Sequence, residues 1–249
     1  MIDTRIVDGI AVVTMAHGKA NALTTAFCDA VAICFNGLKS SDARAVVLTG
    51  QGKMFSAGVD LPHMLEGGPA YVRDFLPALH RLYEAVFFHP KPVIAAINGH
   101  AIAGGCVLAC CADRKIMAQG GGRIGVTELK VGVPFPPLAF EVMRFATEPK
   151  YLSEAIIGGS TYVPEEGLLR GFVDEIVAPE MVMDRASAVA KTYAALSPAA
   201  FGQSKAQIRA IVRERVAQAA RDDKSIADIW ANPSTLQYMR DYVAATLKK

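Results

Sequence analysis

The residues whose types and spacing could do chemistry are concentrated between positions 90 and 112. A short apolar run at 93–97 is typical of a strand buried on both faces, and an Asn-Gly pair at 98–99 ends it. Gly104 and Gly105 follow, and the apolar residues 106–112 indicate a buried helix. The first N–H groups of a helix lack intrahelical acceptors and lie at the positive end of its dipole. Glycines there let a ligand approach the backbone, so this segment could bind an anionic oxygen.

These residues also have ordinary structural interpretations. A Gly-Gly pair between a strand and a helix is often only a tight turn, and an anion site would need a second donor from elsewhere in the chain. Glu128 precedes a loop rich in glycine and proline, where a glutamate is usually a solvated residue or a cap. His17 and His100 are interpreted as loop and core residues, and Asp113 as a structural residue.

The composition is that of a globular chain with room for a large core. Its 249 residues are 52% hydrophobic and 20% charged, which fits one large domain or a main domain with a smaller appendage. The formal net charge is +2, and the most basic stretch, residues 205–215, spaces its charges as a solvated helix face does. A nucleic acid is therefore not expected as a partner.

The sequence has no apolar run as long as a membrane-spanning helix, and residues 1–5 lack the apolar core of a signal peptide. The cysteines are odd in number and lie mostly in apolar surroundings, which predicts free thiols in a reducing compartment. They are Cys28, Cys34, Cys106, Cys110 and Cys111. Their spacing is not that of zinc ligands, so no metal site is expected. We expect a cytoplasmic protein without membrane contact.

Strands alternate with helices along the chain, which predicts an α/β core. Predicted strands cover residues 2–7, 10–15, 45–49, 93–97, 114–118 and 172–177, with a brief extended piece at 123–125. Predicted helices cover residues 25–40, 71–88, 106–112, 138–146 and 150–157, with a short one opening at Pro164 and a helical pattern from Pro179 onward. An Asp-Gly pair at 8–9 predicts a type I′ turn, Thr24 or Thr25 is expected to cap the first helix, and loops are expected at 63–70 and 128–137.

Six segments, in this order along the chain, resemble the motifs of the enoyl-CoA hydratase/isomerase family, also called the crotonase family. They are KANAL at 19–23, FSAGVDL at 55–61, KPVIAAING at 91–99 with AGG at 103–105, CADR at 111–114, GVTELKVG at 125–132, and GFVDE at 171–175. Each motif alone is weak. Together they are specific for the family, although not for one reaction within it.

The resemblance implies a fold, an assembly and a substrate class. The fold is an α/β spiral of ββα units, here residues 1–190 with the acyl-CoA site, followed by a C-terminal helical trimerisation region at 191–249. The implied assembly is a homotrimer, or a hexamer built as a dimer of trimers. The implied substrate is an acyl group carried as a coenzyme A thioester, and no prosthetic group is implied.

The resemblance also implies which residues form the site. The N–H groups of Val59 and Gly104 correspond to an oxyanion hole, which supplies the partner that Gly104 lacks by itself. Two such donors stabilise the negative charge that a thioester oxygen gathers when its α-proton leaves. Main-chain contacts to the adenine of coenzyme A fall at Ala57, Asp60 and Leu61. Candidate phosphate partners are Lys19 and, from the C-terminal region, Lys205.

One departure from the family's hydratases bears on the reaction. Hydratases of the family carry two glutamates, and this chain has Val107 at the first position and Glu128 at the second. Hydration needs two positioned acid/base groups, whereas a single carboxylate suffices to move a proton from C2 to C4 of a 3-enoyl thioester. The pattern therefore favours a Δ3,Δ2-enoyl-CoA isomerase. Apolar neighbours are expected to raise the pKa of Glu128. They are Val107, Val131, Val133 and Phe135.

Several alternatives stay open at this point. Within enzymes they are a thioester hydrolase, a decarboxylase, or a slow hydratase whose water is held by backbone groups. Outside enzymes, the chain could be a non-catalytic homologue that binds acyl-CoA. A missing acid could also be supplied by a residue of the loop after the oxyanion segment, although such charges are usually surface residues. The candidates there are His63, Glu66 and Asp74.

Overall fold

The structure, a computed structural model, describes residues 1–219 and 223–246. Ten strands occur within these residues. They are β1 (Ile2–Val7), β2 (Ile10–Met15), β3 (Ala45–Gly50), β4 (Met54–Ser56), β5 (Val93–Ile97), β6 (His100–Ile102), β7 (Arg114–Ala118), β8 (Ile124–Gly125), β9 (Thr161–Tyr162) and β10 (Glu175–Val177).

Eleven α-helices and two 3₁₀ turns occur in the same described residues. The helices are α1 (Thr25–Lys39), α2 (Leu61–Phe87), α3 (Gly104–Cys110), α4 (Glu128–Val131), α5 (Pro137–Ala146), α6 (Leu152–Gly158), α7 (Pro164–Leu169), α8 (Val182–Ala194), α9 (Pro198–Ala219), α10 (Asp223–Ala231) and α11 (Pro233–Thr246). The 3₁₀ turns are Pro149–Tyr151 and Pro179–Met181.

The strands form two sheets that the chain visits alternately. A six-stranded sheet has the order β1-β2-β3-β5-β7-β10, and a four-stranded sheet has the order β4-β6-β8-β9. Three successive units therefore place one strand in each sheet and then a helix: β3-β4-α2, β5-β6-α3 and β7-β8-α4. Apart from the terminal pairs β1-β2 and β8-β9, neighbouring strands are parallel. The expected α/β spiral of ββα units is confirmed.

The large sheet is covered on both faces, which explains the continuous apolar runs of its central strands. Every residue of β3 and β5 is buried. Alternate residues of β3 contribute to different clusters, with Val46 in the main core and Val47 in a second cluster under α8. A strand that is buried on both faces has an almost continuously apolar sequence, because the side chains on each face are enclosed.

The local predictions at the N-terminus are confirmed. The Asp8-Gly9 turn joins β1 and β2, and both residues have positive φ, at 52° and 74°, as a type I′ turn requires. Thr24 caps α1, because its side chain accepts the Phe27 N–H at 3.2 Å.

The expected loop at 63–70 is wrong. Helix α2 begins at Leu61, since the Asp60 side chain accepts the His63 N–H at 3.1 Å and caps it. The Gly-Gly-Pro sequence produces a kink rather than a loop: Gly68 has φ 62° and ψ −156°, and the helix resumes after it. The two segments stack end to end because apolar residues on both pack on the core, among them Met64 and Phe75.

Three further boundaries differ from the sequence-based expectation. The segment after β8 is not all loop, because Glu128 opens the one-turn helix α4, which Gly132 ends with φ 92°. Helix α3 begins at Gly104, two residues earlier than expected. The last strand is only β10, while Phe172 before it is buried in the main core as part of a turn.

The C-terminal helices share the core of the rest of the chain. Residue 190, the expected division, falls inside α8, whose buried face lies on the six-stranded sheet. Trp230, Leu236 and Met239 belong to the same hydrophobic cluster as the helices of the spiral. Trimerisation through residues 191–249 stays a prediction, but part of this region packs on its own chain.

Asp113 joins α9 to the start of the spiral's central strands. Its carboxylate accepts the Val93 N–H at 2.8 Å and pairs with Lys205 at 2.6 Å and Arg209 at 2.8 Å. Both basic side chains are almost fully buried. Burial lowers the pKa of Lys205 to about 8, against the opposing effect of Asp113. These contacts fit the structural role expected for Asp113.

In the described part of the chain, no helix has the length and apolar content needed to cross a membrane. The same residues contain no group of histidine, cysteine or acidic side chains arranged to hold a metal ion.

The buried ion cluster generates a prediction about stability. Asp113→Asn leaves Lys205 and Arg209 buried without a counter-charge, which is expected to cost about 3–5 kcal/mol of unfolding free energy. Asp8→Asn removes the pair that Asp8 forms with Lys191, whose side chains are 67% and 54% exposed, and should change stability little. Urea unfolding of both variants beside the wild type measures the contrast, and equal losses would contradict it.

Candidate active site

The Val59 N–H takes no part in the pairing of its segment with the loop before α1. Leu23 and Val59 form a parallel bridge in which the Leu23 N–H donates to the Gly58 carbonyl at 2.8 Å and the Asp60 N–H donates to the Leu23 carbonyl at 3.1 Å. A parallel bridge of this kind uses the carbonyl of Gly58 and the N–H of Asp60. The N–H of Val59, between them, therefore lies on the opposite side of the strand.

The Gly104 N–H is the first of α3 and has no intrahelical acceptor. The N–H of Gly104 belongs to the same peptide group as the carbonyl of Ala103. In a trans peptide the N–H and the C=O point in opposite directions, so the direction of the Ala103 carbonyl fixes that of the Gly104 N–H. The Ala103 carbonyl accepts the N–H groups of Cys106 at 2.8 Å and Val107 at 3.1 Å, so it points along the helix. The Gly104 N–H therefore points outward from the helix start.

Gly58 brings these two donors together. A Cβ on Gly58 would lie 2.7 Å from the Ile102 carbonyl oxygen and 2.9 Å from the Gly104 nitrogen, and its φ is +80°. Only glycine allows the segment before α2 to approach the start of α3 this closely. The predicted oxyanion pair, Val59 and Gly104, is thus placed on two touching segments, which line one cavity.

Two polar side chains hold the segment around Gly58. Ser56 accepts the Gly58 N–H at 3.2 Å and donates to the Asn21 carbonyl at 2.8 Å. The buried Asn21 amide donates to the carbonyls of Met54 at 3.2 Å and Phe55 at 3.1 Å. Both residues lie within the family-like motifs, but their supporting role follows only from these contacts.

Glu128 opens α4 and lines the same cavity as Val59 and Gly104, and the residue is 8% exposed. Within the described residues its Oε2 is buried and has no hydrogen-bond partner. Burial raises the pKa of this carboxyl from its ordinary 4.5 to about 7, and the backbone N–H groups of Glu128 and Thr127 oppose the rise. A carboxyl with such a pKa can exchange a proton near neutral pH.

The cavity has a volume of about 500 Å³ and is lined mainly by apolar side chains. It contains all three residues predicted to be catalytic and three predicted to contact coenzyme A. Its lining comprises Ala20, Ala22, Ala57, Val59, Asp60, Leu61, Pro62, Leu79, Tyr83, Ile102, Ala103, Gly104, Thr127, Glu128, Val131, Val133, Pro136, Ala139, Trp230 and Tyr242. An apolar cavity with a few polar groups is typical of a small-molecule site.

The four apolar residues predicted to surround Glu128 are all buried members of the main core: Val107, Val131, Val133 and Phe135. Val131 and Val133 also line the cavity with Glu128.

Neither of the two candidate phosphate-binding lysines is part of this cavity's lining. Lys205 lines a different cavity, and its ammonium is held by Asp113 and by the Lys91 carbonyl at 3.1 Å. Its pairing with Asp113 makes it unsuited to contact coenzyme A on this protomer. Lys19 is exposed and directly precedes Ala20 of the lining.

The loop charges that could have replaced a missing acid are not in the cavity. His63, Glu66 and Asp74 lie on exposed positions of α2. The lining carries one carboxylate besides Glu128, that of Asp60, which accepts the His63 N–H and caps α2.

Two aromatic residues from the C-terminal helices complete the wall. Trp230 donates from Nε1 to the Pro134 carbonyl at 2.8 Å, and Tyr242 faces the same cavity. Helices α10 and α11 pack against α2, with an Arg73–Asp228 ion pair at 3.0 Å between α2 and α10. Sequence analysis missed this wall, because the helical pattern after residue 190 does not indicate where the helices pack.

Comparisons with known proteins identify the class to which this fold and site belong. The family model described as enoyl-CoA hydratase/isomerase matches residues 5–234. A putative enoyl-CoA hydratase of Thermus thermophilus is 34% identical over 172 residues, which cover 68% of this chain and 67% of the relative. The mitochondrial enoyl-CoA delta isomerase 1 of Rattus norvegicus is 30% identical over 184 residues, which cover 73% of this chain and 64% of the relative.

Solved structures agree with the family match. Human mitochondrial delta3-delta2-enoyl-CoA isomerase has a TM-score of 0.92 at 25% identity, covering 99% of this chain and 98% of its own. An enoyl-CoA isomerase of Mycobacterium tuberculosis has a TM-score of 0.83 at 31% identity, covering 90% of this chain and 97% of its own. The fold and site define a crotonase-type acyl-CoA enzyme. The chain belongs to the enoyl-CoA hydratase/isomerase family.

The raised pKa of Glu128 generates a prediction about stability and pH. Because the folded pKa of about 7 exceeds the ordinary 4.5, the ionised carboxylate destabilises the fold. This penalty is absent below pH 4.5, grows between the two pKa values, and reaches about 3 kcal/mol above pH 7. Glu128→Gln, which stays neutral, should therefore be more stable than the wild type at pH 8 and nearly equal to it at pH 4.5.

Urea unfolding at both pH values measures this difference. Glu66→Gln, on the exposed face of α2, is the matched control and should show no gain at pH 8. A Glu128→Gln variant that is no more stable than the wild type at pH 8 would show that the carboxylate is not desolvated.

Proposed function

We propose that this protein is a Δ3,Δ2-enoyl-CoA isomerase that uses the Val59 and Gly104 N–H groups as an oxyanion hole and Glu128 as its base. The observation that carries the proposal is the buried Glu128 carboxylate, whose Oε2 has no hydrogen-bond partner among the described residues, in the same apolar cavity as Val59 and Gly104. A desolvated carboxylate with one oxygen free of hydrogen bonds is poised to accept a carbon-bound proton at that oxygen.

The reaction moves one proton between two carbons. Glu128 removes a proton from C2 of the 3-enoyl thioester, and the electrons of that C–H bond form a dienolate whose negative charge lies largely on the thioester oxygen. The two N–H donors stabilise that oxygen, and one such donor typically contributes a factor of about 10²–10³ in rate. Protonated Glu128 then returns the proton at C4, which moves the double bond from C3 to C2.

A single carboxylate suffices for this reaction but not for efficient hydration. Hydration requires one group to activate water and another to protonate C2. At the position where the hydratases of the family carry their other glutamate, this chain has the buried Val107. The remaining carboxylate of the lining, Asp60, is already engaged as the cap of α2.

The coenzyme A portion is proposed to bind at the mouth of the cavity formed by residues 57–61. Ala57, Asp60 and Leu61 line this part of the cavity, which supports main-chain contacts there. Lys19 is the proposed phosphate partner, because it is exposed and adjoins Ala20 of the lining. The mechanism requires no prosthetic group.

A hydratase is the second candidate, and it is favoured by the names of relatives such as the Thermus thermophilus protein. In this chain it would have to hold its water with backbone groups. A thioester hydrolase, a decarboxylase and a non-catalytic acyl-CoA-binding protein are further possibilities. The assay below separates the hydrolase from the other two, since neither of its substrates carries a carboxylate that a decarboxylase could remove.

Assembly and location are part of the same proposal. Exposed apolar side chains on α6, α7 and α9, such as Ile157 at 69%, Leu169 at 61% and Ile208 at 62%, support burial against other copies in a homotrimer or hexamer. We place the enzyme in the cytoplasm, in fatty-acid metabolism or a related catabolic route.

The reaction is tested by a paired assay with 3-enoyl-CoA and 2-enoyl-CoA. The wild type should convert the first into the conjugated 2-enoyl thioester and should not hydrate the second. Glu128→Gln should lower the isomerisation rate by about 10²–10⁴-fold, since the amide cannot accept the proton. Rates are followed by the absorbance of the conjugated thioester.

Glu66→Gln serves as the control and should keep the wild-type rate, since Glu66 lies outside the cavity. Rapid hydration of 2-enoyl-CoA would overturn the proposed reaction in favour of a hydratase. Free coenzyme A would indicate thioester hydrolysis, and binding without any turnover would indicate a non-catalytic role or a decarboxylase.

The pH dependence of the isomerisation follows from the state of Glu128. Only the deprotonated carboxylate is a base, so kcat/KM should rise about tenfold per pH unit below the pKa and level off above about pH 7. Rates measured between pH 5 and 9, with enzyme recovered at pH 7.5 after each exposure to exclude denaturation, test this. A flat profile across the whole range from pH 5 to 9 would contradict the raised pKa of Glu128.

A further inference from the structure

Tyr83 contacts the backbone of the proposed oxyanion hole at Gly104. Its side chain is 1% exposed and lines the cavity together with Gly104. The hydroxyl donates to the Gly104 carbonyl at 3.0 Å. A Cβ on Gly104 would lie only 2.8 Å from the Tyr83 hydroxyl oxygen. The phenol therefore rests directly on the glycine whose N–H is the proposed donor.

The peptide that carries this N–H is held in a strained conformation. Ala103 has φ 51° and ψ −126°, a combination that is costly for a residue with a side chain. Gly104 and Gly105 follow it, so the chain has little resistance of its own to rotation about these bonds. Such a conformation persists only when surrounding contacts determine it.

The surrounding contacts fix the peptide groups on both sides of Gly104. On the N-terminal side, the Ala103 N–H donates to the Gly125 carbonyl at 2.8 Å, and the Ala103 carbonyl accepts two helical N–H groups. On the C-terminal side, the only side-chain donor recorded for the Gly104 carbonyl in the described residues is the Tyr83 hydroxyl. The carbonyl also has its usual place in the helix, so it stays hydrogen-bonded without the phenol.

We propose that Tyr83 is a positioning residue for the oxyanion hole: its hydroxyl holds the Gly104 backbone so that the Gly104 N–H stays directed at the thioester oxygen. This rests on the proposed function, because it assigns Tyr83 to the same site. Tyr83 acts through Gly104, and its hydroxyl is committed to the Gly104 carbonyl rather than to substrate. Burial and the nearby Glu128 both raise the pKa of Tyr83, so the phenol remains a donor throughout the working pH range.

Tyr83→Phe tests this, because it removes the hydroxyl and keeps the buried ring. The expected result is a fall in kcat of about tenfold, comparable with the loss of one net hydrogen bond, and a KM within about twofold of the wild type. Tyr71→Phe is the matched control on the same helix. Its hydroxyl accepts the Thr25 N–H at 3.0 Å, and Tyr71 does not line the cavity, so its kcat should be unchanged.

A second readout reports the oxyanion hole without turnover. A 3-oxoacyl-CoA forms an enolate with near-ultraviolet absorbance, and donors at the thioester oxygen lower its apparent pKa when it is bound. Titration of the bound ligand should give an apparent pKa higher by about one unit in Tyr83→Phe than in the wild type, which corresponds to a tenfold weaker stabilisation of the enolate. Tyr71→Phe should match the wild type.

The two readouts separate this inference from the proposed reaction. If the wild type does not isomerise 3-enoyl-CoA but the enolate titration depends on Tyr83, the isomerase proposal fails and the inference stands. If Tyr83→Phe only melts at a lower temperature while kcat and the enolate pKa stay at wild-type values, the role is merely structural and the inference is overturned. Absence of any enolate stabilisation in the wild type would overturn it as well.

Discussion

The close approach of Gly58 to the turn at residues 102–104 is the contact on which the site depends. It joins the ends of β4 and β6, so that two backbone segments from successive turns of the spiral lie against each other. Neighbouring glycines serve the same approach, since a Cβ on Gly105 would lie 2.3 Å from the Ser56 carbonyl oxygen. The small sheet thereby brings Val59 and Gly104, from separate turns of the spiral, to the wall of one cavity.

A second constraint is the burial of an ionisable group where it destabilises the fold. The Glu128 carboxyl is enclosed by an apolar wall, and nothing in the described residues bonds to its Oε2. A structural carboxylate would be paired, as Asp113 is. The two buried acids therefore differ in their partners, and this contrast is the physical basis for proposing a catalytic role for Glu128 and a structural one for Asp113.

The wall around Glu128 is built by distant parts of the chain. Trp230 is hydrogen-bonded to Pro134, and the ring of Tyr238 packs so closely on Gly132 that a Cβ there would lie 2.6 Å from it. Helices α10 and α11 thus pack on the segment that follows Glu128 and contribute Trp230 and Tyr242 to the cavity lining. Helix α9, in turn, is held by the ion pairs of Lys205 and Arg209 with Asp113. Lys205 is therefore part of a buried ion cluster and not of the cavity that contains Glu128.

Local patterns in the sequence determined much of this architecture. The apolar runs of β3 and β5 and the turn at 8–9 depend on neighbouring residues. The family-like motifs predicted a common site for Val59, Gly104 and Glu128, and all three line one cavity. Only the tertiary structure decided that α2 continues through Gly68, that Lys205 is paired with Asp113, and that Trp230 and Tyr83 border the cavity. These features depend on contacts between residues far apart in the chain, and no local periodicity or spacing records which distant side chain will meet which backbone group.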